Sequence, residues 1–247
     1  MSMSQHATRD DKRPGGSEPI FNIPGVIFLF IGLCAAVYLY ENYILSAQSD
    51  YLFILNFALI PARLSMPDGF LNPAALFTLI SYSFMHGGFA HIMINTIWLV
   101  AFGSPLAGRL GTLRMIVFWL LTAIAAGLTH YALYPESATP LVGASGAVSG
   151  MMGAAARYGF RRVAYGRISE FAGPILPVLL TLRLRPVLTF VGVWFLINIV
   201  TGIYSAGSGE FASIAWEAHI GGFVAGFFGI VFLDKPRSYD AVLRYKK

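Results

Sequence analysis

Ser145 stands near the head of a run in which almost every residue is small, 143-GASGAVSGMMGAAA-156. A hydroxyl is a poor nucleophile until a base takes its proton, and an imidazole is the usual base. His219 sits in a second small-residue series, Ala218, Gly222, Gly226 and Gly229. His91 and Asn95 are four residues apart, so on a helix they share a face. Asn and His side chains can donate to a developing oxyanion, as can the Ser145 N–H if a helix begins there. Nucleophile, base and oxyanion donors together point to acyl-transfer chemistry. Each residue alone also has a plain explanation. Ser145 fits a tightly packed helix, His219 a packing histidine, and His91 and Asn95 hydrogen bonds between helices. Asn198 reads as such a structural bond, and His130 has no matched partner in the sequence and receives no role.

These residues lie in a chain that is 56% apolar and 12% charged over 247 residues, with a mean hydropathy of +0.66. That composition indicates a polytopic all-α membrane protein rather than a soluble domain. The single cysteine, Cys34, rules out an intrachain disulfide. Residues 1–21 are polar and read as a disordered cytoplasmic tail. The membrane domain is expected over 22–234, followed by a basic tail, 235–247. Six spans are expected, at about 22–46, 89–106, 113–134, 145–159, 187–206 and 214–233. The segment 47–88 is broken by Pro61, Pro67 and Pro73 into pieces too short to span, and reads as an embedded interfacial loop. A basic loop occupies 160–186.

Six spans put both termini on one side. With that side cytoplasmic, 16 of the 17 Lys and Arg residues face inward, and only Arg63 falls outside. The formal net charge of +5 is therefore a topology signal, and nucleic acid is not an expected partner. The bilayer is.

Polar side chains inside spans are costly and by default suggest function. Their depths follow from the helical rise. Ser145 lies about 18 Å above Arg157, His219 about 22 Å above Asp234, and Asn95 about 21 Å above Arg109. All three share one height within a hydrocarbon core about 30 Å thick. The span carrying Ser145 is too short to cross, so it begins inside the membrane beneath a non-helical lead-in, 138-ATPLVGA-144. Such backbone must be buried in protein or face water. Gly146/Gly150 and Gly222/Gly226 are GxxxG pairs, the pattern that lets helices approach closely. If those faces meet, Ser145 and His219 come within reach of each other.

The motifs resemble those of the rhomboid intramembrane serine proteases. They are 143-GASG-146, His86-x4-His91-x3-Asn95, and 218-AHIGGFVAG-226, in the expected order over roughly residues 22–234. The resemblance implies a six-helix rhomboid-like bundle and a Ser145–His219 dyad with no third acid. It implies an oxyanion site on His91, Asn95 and the Ser145 N–H, and a supporting role for His86 in holding its region or its water. Gly143, Gly146, Gly222 and Gly226 are the supporting glycines of these motifs. Substrates would be transmembrane helices of other membrane proteins, no metal or cofactor is called for, and a bacterial inner membrane is the expected location. Three positions depart from the family pattern. Ser149 stands where an aromatic ring often stacks on the base, Ala107 stands where an acid is common, and the Trp-Arg pair of the first loop is missing.

Rival classes leave weaker marks. A membrane metalloprotease needs HExxH, and an aspartyl protease needs Asp in two spans; neither pattern is present. A small polytopic transporter would predict inverted repeats, which are not evident. A catalytically dead rhomboid-like client-binding protein would lack the serine or the histidine, and both are here.

Overall fold

The computed structural model describes residues 23–165, 168–208 and 215–235. The expected tail at 1–21 lies outside the described residues, as does the C-terminal tail beyond Lys235.

The chain opens with α1 (Gly25–Tyr43), which buries Ile27, Phe30 and Cys34 along one stripe and exposes Phe28, Leu29 and Leu33 on the other side. That is a helix with one face on protein and one on lipid. The 47–88 segment folds as short helices. α2 (Ala47–Phe57) is capped by Ser46, whose hydroxyl accepts from the Ser49 N–H. α3 (Pro61–Leu64) and a 3₁₀ turn (Gly69–Leu71) follow. α4 (Pro73–Ser81) has Pro73 in its first turn and Asn72 accepting from the Ala74 and Ala75 N–H groups. Two of the three prolines that break this segment, Pro61 and Pro73, thus begin helices, where their missing N–H costs nothing. A second 3₁₀ turn covers Tyr82–Phe84.

Span two is a composite. α5 (Phe89–Trp98) passes through a π-helical turn (Leu99–Gly103) into α6 (Ser104–Leu110). The proline at 105 removes one helical hydrogen bond, and the wider π turn beside it keeps the helix running to Leu110. α7 (Thr112–Leu133) and α8 (Ser145–Arg157) come next. Within α8, Gly146 through Arg157 are all buried. The 160–186 loop contains a short antiparallel hairpin, β1 (Arg162–Tyr165) with β2 (Ile168–Phe171), and a single helical turn, α9 (Val178–Thr181). The all-α expectation therefore needs that small amendment. α10 (Arg185–Ser208) and α11 (Trp216–Leu233) complete the described bundle.

Among the described residues, five helices are long and apolar enough to cross a membrane: Gly25–Tyr43, Phe89–Leu110, Thr112–Leu133, Arg185–Gly202 and Trp216–Leu233. α8, at 13 residues, is too short and sits between α7, α11 and the π turn. Its surroundings are the main core, with Trp119 at the centre. Trp119 packs on Phe30 at 4.2 Å and Phe84 at 5.4 Å, and its Nε1–H donates to Ser83 Oγ.

One end of the bundle is tied by two buried arginines. Arg109 donates to both carboxylate oxygens of Asp234, at 2.7 and 2.9 Å. Arg157 donates to the carbonyls of Phe227 and Leu176. The end of α6 is thereby tied to the end of α11, and the end of α8 to the Phe227 carbonyl within α11. Breaking a buried ion pair costs more than removing it, because one charge is left without its partner. We expect Asp234→Ala to destabilise the fold by about 3–5 kcal/mol, seen as a lower melting temperature in detergent. Pairing it with Arg109→Leu should recover much of that loss; a double variant no more stable than the single would contradict this account.

Candidate active site

α8 and α11 pack side by side and run in the same direction. A Cβ on Gly222 would fall under 3.0 Å from the Gly146 carbonyl oxygen, and one on Gly226 would do the same at Gly150. From the other helix, a Cβ on Gly153 would strike the Phe223 carbonyl. Backbones this close touch through Cα–H and carbonyl groups, which only glycine permits. The register puts Gly146 against Ala218 and Gly222. The residue before Gly146 therefore meets the residue after Ala218. Ser145 Oγ and His219 Nε2 are 2.7 Å apart, and both side chains are half-buried.

The lead-in to α8 is held by the 47–88 segment. Leu141 exchanges both backbone hydrogen bonds with Leu59, and the Gly143 N–H donates to the Tyr82 carbonyl. Irregular backbone at this depth is thus paired with protein rather than left to lipid. Gly143 has φ +127°, and a Cβ there would sit 2.8 Å from His91 Nε2 and 3.6 Å from Ser145 Oγ. The His91 ring and the Ser145 hydroxyl consequently flank one small space, and any side chain at 143 would fill it. Ser145 is also the first residue of α8, so its N–H is one of those the helix leaves unused.

Asn95 is buried on α5, and its Nδ2 donates to the His91 carbonyl at 3.0 Å, which employs one of its two N–H bonds. His86 lies edge-on to His91 with ring centres 5.1 Å apart. It is buried, and neither of its ring nitrogens has a hydrogen-bond partner among the described residues.

Four further residues join this neighbourhood that the sequence did not assign to it. Asn198, expected to make only a structural bond, has its Oδ1 2.5 Å from His219 Nδ1. A buried amide on a span was the available signal. His130, given no partner by the sequence, has one: its Nδ1 is 2.5 Å from Glu217 Oε1. That buried pair joins α7 to the first turn of α11, two residues before His219, where a carboxylate also suits the helix dipole. Tyr82 supports the site from below, with its hydroxyl donating to the Ala123 carbonyl and its own carbonyl holding Gly143. Nothing in the sequence marked it.

The Rhomboid domain family matches residues 73–235, more than half of the chain. The chain belongs to the rhomboid family. RHOMBOID-like protein 5 of Arabidopsis thaliana is 31% identical to this rhomboid over 160 residues, which cover 64% of this chain and 45% of that protein. RHOMBOID-like protein 4 of the same plant is 28% identical over 159 residues, 64% of this chain and 34% of its own length. The Rhomboid protease GluP of Bacillus subtilis (strain 168) is 27% identical over 154 residues, 62% of this chain and 25% of the protease. This rhomboid thus spans less than half the length of each of these relatives. It is an integral, multi-pass membrane protein.

Proposed function

We propose that this rhomboid is an intramembrane serine endopeptidase that cuts transmembrane helices of other membrane proteins. The observation that carries the reading is the 2.7 Å contact between Ser145 Oγ and His219 Nε2, set in a bundle whose outer helices expose apolar side chains. In the proposed reaction His219 Nε2 takes the hydroxyl proton as Ser145 Oγ bonds to the scissile carbonyl carbon. The carbonyl oxygen becomes an oxyanion, stabilised by the Ser145 N–H, His91 and the free N–H of Asn95. The imidazolium returns its proton to the departing amine as the C–N bond breaks. Water, activated by the same imidazole, then hydrolyses the acyl-enzyme. His86, buried with two unpartnered nitrogens beside His91, suits the retention of that water. A helical substrate hides its carbonyls in its own hydrogen bonds, so segments that unwind easily are the favoured sites.

The distribution of Lys and Arg supports a six-span arrangement with α8 as the short fourth member and both termini cytoplasmic, an arrangement that suits a bacterial inner membrane. A fluorophosphonate probe tests the chemistry directly. The expected result is a single adduct on the peptide containing Ser145, found by mass spectrometry of the detergent-solubilised protein. A folded protein that takes no label at Ser145 would overturn the assignment and favour a client-binding role.

A further inference from the structure

We infer that Asn198 is a positioning residue that holds the His219 imidazole in the tautomer able to act as a base. The inference rests on the proposed roles of Ser145 and His219. An asparagine side chain offers an acceptor at Oδ1 and donors at Nδ2, and the two ends look alike until a partner tells them apart. Here the partner is the Trp194 carbonyl, 2.7 Å from Nδ2 and able only to accept. The amide is thereby oriented, with Oδ1 toward His219 Nδ1 at 2.5 Å. An acceptor facing Nδ1 places the ring proton on Nδ1. Nε2 is then left with its lone pair directed at the Ser145 hydroxyl, 2.7 Å away. The reversed amide would make Nδ1 the acceptor and put the proton on Nε2, where it could not receive one from serine.

Among the described residues, Asn198 Oδ1 is the hydrogen-bond partner found at His219 Nδ1. Glu217, on the same helix, is occupied by His130. Position 149, one turn into α8, carries a serine rather than a ring that could stack on the imidazole. The aromatic contact between α10 and α11, Trp194 on Phe223 at 5.2 Å, lies one turn along each helix and fixes the height of Asn198 without touching the base. Orientation therefore comes from a third helix, α10, rather than from either helix that bears the reacting pair.

The test has two arms. In the first, Asn198→Ala and Asn198→Leu are compared with Asn198→Asp, which keeps an acceptor for Nδ1. We expect Ala and Leu to lower kcat and the rate of fluorophosphonate labelling by on the order of 10–100-fold with KM nearly unchanged, at a melting temperature close to the parent's. Asp should retain most of the rate. Wild-type labelling in the Ala and Leu variants, or equal losses in all three, would overturn the inference. The second arm is ¹⁵N NMR of the histidine-labelled parent protein, with His219 identified by its disappearance in His219→Ala. A proton on Nδ1 that redistributes in Asn198→Ala is expected; a proton resident on Nε2 would refute the inference. This arm does not depend on turnover, so a parent protein that takes no label but shows the Nδ1 proton would count against the protease reading and not against the orienting contact.

Discussion

Ser145→Ala and His219→Ala are each expected to reduce cleavage of a transmembrane reporter by at least about 10⁴-fold, with the double variant no worse than either single one. The first removes the hydroxyl proposed to bond to the scissile carbonyl carbon. The second leaves the hydroxyl with no acceptor for its proton at Nε2. Because the two act as one unit, their losses do not add. The fold should survive both changes. Alanine is a better helix former than serine, and Ser145 opens a helix already built from small residues. His219 is half-buried, and α11 is held independently by its glycine contacts and by Asp234. Reporter cleavage and a thermal unfolding scan on the same preparations separate chemistry from stability. Parent-level cutting by either variant would place the nucleophile or base elsewhere.

The parts of the site that were legible beforehand came from two regular signals. The helical rise took Arg157, Asp234 and Arg109 as a common reference level; the structure joins Arg109 to Asp234 at the ends of α6 and α11, while Arg157 reaches the Phe227 carbonyl within α11. The glycine spacing on the fourth and sixth expected spans marked the faces that α8 and α11 turn toward each other. The expected span at 113–134 is the helix Thr112–Leu133, and the one at 145–159 is the short helix Ser145–Arg157. What escaped notice depends on tertiary placement. The 47–88 segment gives no long period, because prolines cut it into pieces of four to eleven residues, yet those pieces pair with the lead-in at Leu59 and Tyr82. The β1–β2 hairpin is held against α6, with Arg109 over the Tyr158 ring and Tyr158 stacked on Phe171, contacts that no local pattern announces. Asn198 and Glu217 were visible as polar residues in or at the head of spans. Their partners were not, because a partner on another helix leaves no mark in the spacing.

Gly226→Ala is expected to cost stability and activity together, although alanine is the better helix former by about 1 kcal/mol. The new methyl group would lie under 3.0 Å from the Gly150 carbonyl oxygen, and that oxygen is backbone in the middle of α8, so it cannot rotate aside. Relief requires the helices to separate. Overpacking of this kind costs about 1–3 kcal/mol or more, which outweighs the propensity gain. Separation also acts at a distance. Ser145 and His219 meet because α8 and α11 touch, and a hydrogen bond weakens once the shift carries its atoms beyond the normal distance and angle. Gly222→Ala meets the Gly146 carbonyl next to Ser145 itself, so it should lose more activity than Gly226→Ala for a similar drop in melting temperature. Gly229→Ala is the control. It lies on the same helix but has nothing within 4 Å of its added methyl group, so it should keep parental labelling at Ser145 and unfold at the same temperature or slightly higher. Equal behaviour of Gly226→Ala and Gly229→Ala in unfolding and labelling would show that the close approach of these two helices does not set the geometry of the serine and the histidine.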